Sequence, residues 1–314
     1  IQNDTVIGSF AGNLETDMKL TKVLVTLLAL LSFNLVAPQA QTESEAELPA
    51  VQKLQAVDLT VYQTGEARQG AAADTQHVYA IDNFALAKYE KAGGSLVARW
   101  QGIRGGAISH LNSCFAEKTQ LFCANSNFPE LPMASSVEVF ATDSLRHIHS
   151  LSLGIMDEGS LTWFDRLGEG WLAGFAHYDG QGGTGFKDHR FATIYRYDQS
   201  WRRLGGWMMP DSVTRQMQPY AASGGALGAD GLLYLSGHDK PEVYVLAAPR
   251  MGPKLIHVAT ISVNIEGQAI AWDDSAERVL IGISRSSREI KSFRIPPVVL
   301  PAGLFRLTEV NFTL

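Results

Sequence analysis

Two cysteines in 314 residues allow one bridge at most, which excludes a disulfide-dense mini-protein. Charged side chains are also scarce, at 18%, and sum to −6. With no long basic run, the chain lacks the electropositive footprint of a nucleic-acid binder. No amphipathic helical period of any length is present. One apolar run, Val23 to Phe33, is about half the roughly 20 residues a membrane-spanning helix needs. What is plentiful is hydrophobic content, 46%, together with 29 glycines. That suffices for one or two packed domains, is too apolar for a disordered chain, and leans towards strands, loops and glycine turns.

The apolar run belongs to a secretory leader. Met18 opens it, Lys19 and Lys22 form a basic start, and Ala37-Pro38-Gln39-Ala40 offers a small-residue cleavage site after Ala40,. Residues 18–40 are therefore expected to be a signal peptide, residues 1–17 a non-native extension, and residues 41–314 a single exported domain. The expected compartment is extracellular or periplasmic, with no membrane association once the leader is removed. There the two cysteines can oxidise. Cys114 and Cys123 flank a hairpin-like turn, and both a cross-strand bridge and two small buried hydrophobes fit.

A phrase recurs along the rest of the chain. It runs glycine turn, small or apolar strand, tight turn, apolar strand, polar loop, alternating strand. The copies begin at Gln69-Gly70, Gly105-Gly106, Glu158-Gly159, Gly224-Gly225 and Glu266-Gly267, and a further strand such as Leu255 to Ile261 lies between copies. Four short antiparallel strands per repeat predict an all-β fold, a β-propeller of five blades. The fifth copy lacks a fourth strand, because Pro296-Pro297 stops the chain. An unpartnered alternating strand, Ala56 to Tyr62, precedes the first copy. If it completes the last blade, the ring closes and both sheet edges are covered. Six blades are the alternative, with the extra one in Gly205 to Tyr220 or Pro301 to Leu314.

In this blade order, the turns entering each first strand share one face of the disc with the loops joining second to third strands. Polar residues gather there: Glu158 and Glu266 in entering turns with His110, then Asn125, Asn127, His177, Tyr178, His189, Arg190, His238, Asp239 and Lys240 in loops. Four of the eight histidines map to this face. One reading is a central pocket. Glu158 and Glu266 would bind a divalent cation or act as general bases, while His177 and His238 would transfer protons or ligate the metal. Arg190 and Lys240 would hold an anionic group, and His110, Asn125, Asn127, Tyr178, His189 and Asp239 would complete the substrate site. The other reading is that these side chains hydrogen-bond neighbouring blades. His77, His147, His149 and His257 fall on turns or outer strands and are read as structural. Trp163, Trp171, Trp207 and Trp272 are read as packing between blades. Gly180-Gln-Gly182-Gly-Thr-Gly185 fits the dinucleotide pattern in letters, but an alternating strand follows where that motif needs a helix. No nucleotide cofactor is expected.

Phrases between His110 and Ile295 resemble a family of exported single-domain propellers often labelled cycloisomerase-like. They include Asn125-Ser-Asn-Phe-Pro-Glu130, Glu158-Gly-Ser-Leu-Thr-Trp163, Phe175-Ala-His-Tyr178, Gly237-His-Asp-Lys-Pro-Glu242 and Gly267-Gln-Ala-Ile-Ala-Trp-Asp273. More distantly, the architecture is similar to gluconolactonase and strictosidine-synthase-like propellers. The gluconolactonase likeness implies a divalent cation, such as calcium, held by acidic and amide side chains, for which Glu158, Glu266, Asn83 and Asn125 are candidates. The expected function is hydrolysis or isomerisation of a small anionic or lactone-like molecule by a monomer. The alternative is a non-catalytic propeller binding a glycan, peptide or surface partner. A phosphate-cleaving enzyme is a third option if a metal is bound.

Overall fold

A computed structural model describes residues 48–311; the expected leader and N-terminal extension lie outside them. The strands form five sheets. In chain order they are β1 (Gln52–Gln55), β2 (Val57–Gln63), β3 (Gly70–Ala73), β4 (His77–Asp82), β5 (Ala85–Glu90), β6 (Leu96–Gln101), β7 (Leu111–Glu117), β8 (Gln120–Ser126), β9 (Ala134–Ala141) and β10 (His147–Ile155). There follow β11 (Ser160–Leu167), β12 (Gly170–Ala176), β13 (Thr193–Tyr197), β14 (Arg203–Met208), β15 (Gly224–Leu227), β16 (Leu233–Ser236), β17 (Glu242–Ala247), β18 (Ile256–Ser262), β19 (Ala271–Trp272), β20 (Val279–Ser284) and β21 (Glu289–Arg294).

Blade 1 is β3 to β6, blade 2 β7 to β10, blade 3 β11 to β14 and blade 4 β15 to β18. Blade 5 takes β19, β20 and β21 from the end of the chain and β2 from its start, with Tyr62 opposite Ile290. The fold is a five-bladed propeller shut by its N-terminal strand. One strand was not anticipated: β1 adds to blade 4 in parallel, Lys53 opposite Thr260. Neither proposed location of a sixth blade holds one. Residues 203–208 are the fourth strand of blade 3, and Asp211–Met217 is a short helix, α1, that buries Val213, Thr214 and Met217. The tail lies against blade 4 through paired bonds between Phe305 and Ala248, at 2.9 and 3.0 Å.

The alternation along each strand explains how one sheet serves two neighbours. In β4, Val78 and Ala80 pack against blade 5 residues such as Ile281, while Tyr79 and Ile81 pack against Leu111, Cys114 and Phe140 of blade 2. The same division recurs round the ring, giving five cores, one between each adjacent pair of blades. First strands lie innermost, side by side in ring order. They carry small residues because they approach closely: a Cβ on Gly225 would stand 2.4 Å from the Trp163 ring of the next blade. Cys114 and Cys123 sit opposite each other on β7 and β8 and are joined by a disulfide. No helix among the described residues is long and apolar enough to cross a membrane.

Two outcomes follow from this packing. Gly225→Ala drives a methyl into the Trp163 ring and should lower stability by about 1–3 kcal/mol, measured by denaturant unfolding of the purified protein. Replacing Cys114 and Cys123 together by Ala should cost about 2–3 kcal/mol, the loop-closure value for a short loop. Reducing agent should then shift the wild-type melt and leave the double variant's unchanged.

Candidate functional site

The entering turns and second-to-third loops do share one rim, here the upper mouth, and hydrogen bonds between blades hold it together. Leu111 N donates to Asn83 O at 2.7 Å, Gln268 N to Gly237 O at 2.7 Å, and Ala269 N to Gln69 O at 3.0 Å. Thr162 Oγ1 donates to Ala222 O at 2.8 Å, and Leu161 N to Ser135 Oγ at 3.0 Å.

Within this rim the histidines differ in what occupies their nitrogens. His238 Nδ1–H donates to Asp239 Oδ1 at 2.5 Å, and its Nε2 accepts from Arg285 Nη1 at 3.0 Å. That pairing fixes one neutral tautomer. Burial lowers the His238 pKa, and Arg285 adds to this against the pull of Asp239. The ring is stacked on Tyr220, centroids 3.9 Å apart. His177 is 3% exposed. Its Nε2–H donates to Asp157 O at 3.3 Å, while its buried Nδ1 has no partner among the described residues. Burial, then the charge of Lys187, lowers its pKa. His189 Nδ1–H donates to Asp179 Oδ1 at 2.6 Å.

His110 is the exception. It lies half-buried at the end of the turn entering β7, its ring 5.0 Å from Phe128. Neither ring nitrogen has a hydrogen-bond partner among the described residues. Burial, followed by the neighbouring His238, pushes its pKa down to about 4, so it is a neutral imidazole at physiological pH. His110 belongs to blade 2 and His238 to blade 4. Phe128 in turn meets Tyr178, centroids 4.9 Å apart, and burial raises the Tyr178 hydroxyl, which stays protonated.

The remaining predicted residues are committed to neighbours. Asn125 accepts from the backbone N–H of His110 at 3.1 Å and donates to Ser136 Oγ at 2.9 Å, so it holds the turn that carries His110. Asn127 closes its own loop, accepting from Ala134 N at 2.8 Å and donating to Pro132 O at 2.9 Å. Glu158 pairs with Arg203 of the outermost strand of blade 3 at 2.5 Å. Glu266 accepts from Ser286 N at 3.0 Å and from the hydroxyls of Ser284 and Ser286, bonds that lower its pKa. Arg190 makes a fork to Asp188, its Nη2 2.7 Å from Oδ2, and Lys240 donates to Gln216 Oε1 at 2.5 Å.

Glu158 and Glu266 are thus drawn to separate partners in blades 3 and 5. The described residues that gather three potential metal donors are Asp179, Asp188 and His189, whose ligand atoms lie within 4.8 Å of one another. They flank the Gly180–Gly185 stretch, which ends in a single 3₁₀ turn, His189–Phe191, before β13.

Arg285, Phe128 and Tyr220 complete the upper mouth and were not singled out in the sequence. Arg285 occupies the second-to-third loop of the fifth copy, so the repeat itself marks it. Phe128 and Tyr220 carry no comparable signal.

No family model and no curated protein matches the chain. Among solved structures, U3-55K superposes with a TM-score of 0.43 at 12% identity, over 76% of this chain and 98% of that one. The WD40 repeats of RRP9 give 0.41 at 11% identity, over 71% and 78%. The β-propeller domain of Cps50 (Swd1) from Myceliophteria thermophila gives 0.40 at 8%, over 77% and 100%. These neighbours are propellers, and the likeness stops at the fold.

The opposite, lower mouth holds a second perturbed group. Asp165, at the end of β11, accepts from Arg166 N and Leu227 N, each at 2.7 Å. Burial, reinforced by Asp274 and Glu117, raises its pKa to about 7 against those two bonds. The folded chain therefore holds this proton more tightly than the unfolded chain does. The stability it contributes is complete below pH about 4 and is lost as pH rises through about 7. Asp165→Asn should gain on wild type by about 1–2 kcal/mol between pH 4 and pH 8, after allowance for solvent screening. Paired denaturant melts across that range measure the gap.

Proposed function

We propose that this chain is an exported propeller enzyme that hydrolyses or isomerises a small anionic or lactone-like molecule at the upper mouth. The observation carrying this reading is His110: a neutral imidazole without a hydrogen-bond partner among the described residues, packed against Phe128. A basic nitrogen with a free lone pair can take a proton from water or from a substrate carbon. Tyr178, kept protonated by burial, can donate to an oxygen that gains charge. His238 has both nitrogens engaged, so it acts through position: with Asp239 it orients Arg285, whose remaining N–H groups suit an anionic oxygen. His177 has one nitrogen on a carbonyl and the other enclosed, and serves the wall.

If a divalent cation takes part, Asp179, Asp188 and His189 are the residues that would hold it. Such an ion would polarise a carbonyl or acidify a bound water. The resemblance to cycloisomerase-like and gluconolactonase-like propellers points the same way, and the leader-like segment together with the disulfide supports export. Non-catalytic glycan or peptide binding is the second reading, favoured by Phe186, 77% exposed, beside Lys187 and Arg190 on the rim.

The test is turnover of a lactone panel. His110→Ala should lower kcat/KM by about 10²–10⁴-fold, with His177→Ala close to wild type. Because His110 loses its proton near pH 4, the acid limb of kcat/KM should fall there, well below the usual imidazole range. Undiminished turnover in His110→Ala removes the assignment. Ligand binding without turnover in the wild type favours the second reading.

A further inference from the structure

One buried charge takes no part in the chemistry above. Glu138, in the middle of β9, is 2% exposed. Three donors surround its carboxylate: Ser136 Oγ at 2.5 Å, Ser150 Oγ at 2.5 Å and His147 Nε2 at 2.7 Å. A carboxylate accepts and cannot donate. The one proton of the Ser136 hydroxyl is therefore spent on Glu138, and its lone pairs are left to accept from Asn125 Nδ2 at 2.9 Å. That Nδ2 also donates to Ala107 O at 3.3 Å. The amide of Asn125 must then turn Oδ1 the other way, towards Ser109 N at 3.3 Å and His110 N at 3.1 Å. Every donor from His110 N through Asn125 and Ser136 points towards Glu138, so the carboxylate polarises the whole series.

The turn at the end of this series needs a tether. Between Leu111 and Cys114 the β7–β8 ladder slips, so that Asn112 and Ser113 together stand opposite Ala124. A bulge of this kind interrupts ladder bonding and re-aims the strand end beside it. The N–H groups of Ser109 and His110 are accordingly met by the side chain of Asn125 in place of a ladder carbonyl. We propose that Glu138, Ser136 and Asn125 form a positioning relay for the upper mouth, fixing the turn and with it the direction in which the His110 imidazole presents its free nitrogen. The inference rests on the reading of His110 as the base. A turn held by one side-chain amide shifts once that amide can flip, and a displacement of about 1 Å at a reacting group costs up to about 10²-fold in rate. His147 and Ser150, both on β10, serve the charge of Glu138 from the far side and have no path to Asn125 except through it.

Ser136→Ala, Ser136→Thr and Ser150→Ala in the full chain test the relay. Ser136 is half-buried, so loss of its hydroxyl leaves the fold in place. Each alanine variant takes one hydroxyl from Glu138, and the two melting points should fall alike. Only Ser136→Ala breaks the path to Asn125. It should lower kcat on a lactone substrate by about tenfold with KM held within about twofold. It should also raise the titration midpoint of the His110 imidazole, followed by NMR, from about 4 towards the ordinary value of about 6.5, because a loosened turn admits water. Ser136→Thr keeps the hydroxyl and should restore both. The proposal falls if Ser136→Ala leaves the His110 midpoint where it is, or if Ser150→Ala moves it as far. A wild type that turns over no lactone overturns the reading of His110 as a base, while the midpoint comparison still decides the relay.

Discussion

Everything at either mouth depends on how closely the five inner strands approach one another. That approach is permitted by glycine and alanine at positions such as Gly70, Gly224 and Gly225, where a larger side chain would meet a neighbouring blade. It is fixed by a hydrogen bond at each of the five blade junctions. Because backbone groups supply most of those bonds, they are insensitive to the side chains placed above them. The rim loops can therefore carry imidazoles, amides and carboxylates without disturbing the ring, and a rigid scaffold with variable loops is where binding chemistry concentrates.

The two ends of the axis have been given opposite electrostatic characters. At the upper end, burial keeps His110, His177 and His238 neutral, and the local cations, Arg285 and Lys187, reinforce that state. At the lower end, burial acts on carboxyls and neighbouring acids add to it, Asp274 and Glu117 for Asp165 and Asp273 for Asp274, raising both. Desolvation works against the charged form in both places. It produces a base that holds no proton at one mouth and an acid reluctant to lose one at the other.

Much of the architecture was legible from the residues. The glycine turns and two-residue alternation marked the five sheets, and the stray strand from Ala56 to Tyr62 named its own partner by having none nearby. Copies of one phrase must fold alike, so fold is the level at which repetition is informative. The parallel strand Gln52–Gln55 was hidden, since four residues have no period to display, and α1 was too short to outweigh its surroundings. For the mouth, loop position told which rim Glu158, Glu266, Asn125 and Asn127 belong to. It could not tell which neighbour takes up their lone pairs: Arg203 and Ser286 for the acids, backbone amides for the two asparagines. Arg285 was readable from the repeat, while Phe128 and Tyr220 depend on ring contacts that exist only in three dimensions.

The placement of β2 on β21 sets an order of events for the newborn chain. Thr60 meets Ser292 across a separation of 232 residues, so the second strand made must wait for the last, β21. Such distant pairing is slow to form, and each earlier blade remains an open arc with a bare flank until it happens. The ring's last contacts therefore cannot tighten until β21 is available to β2.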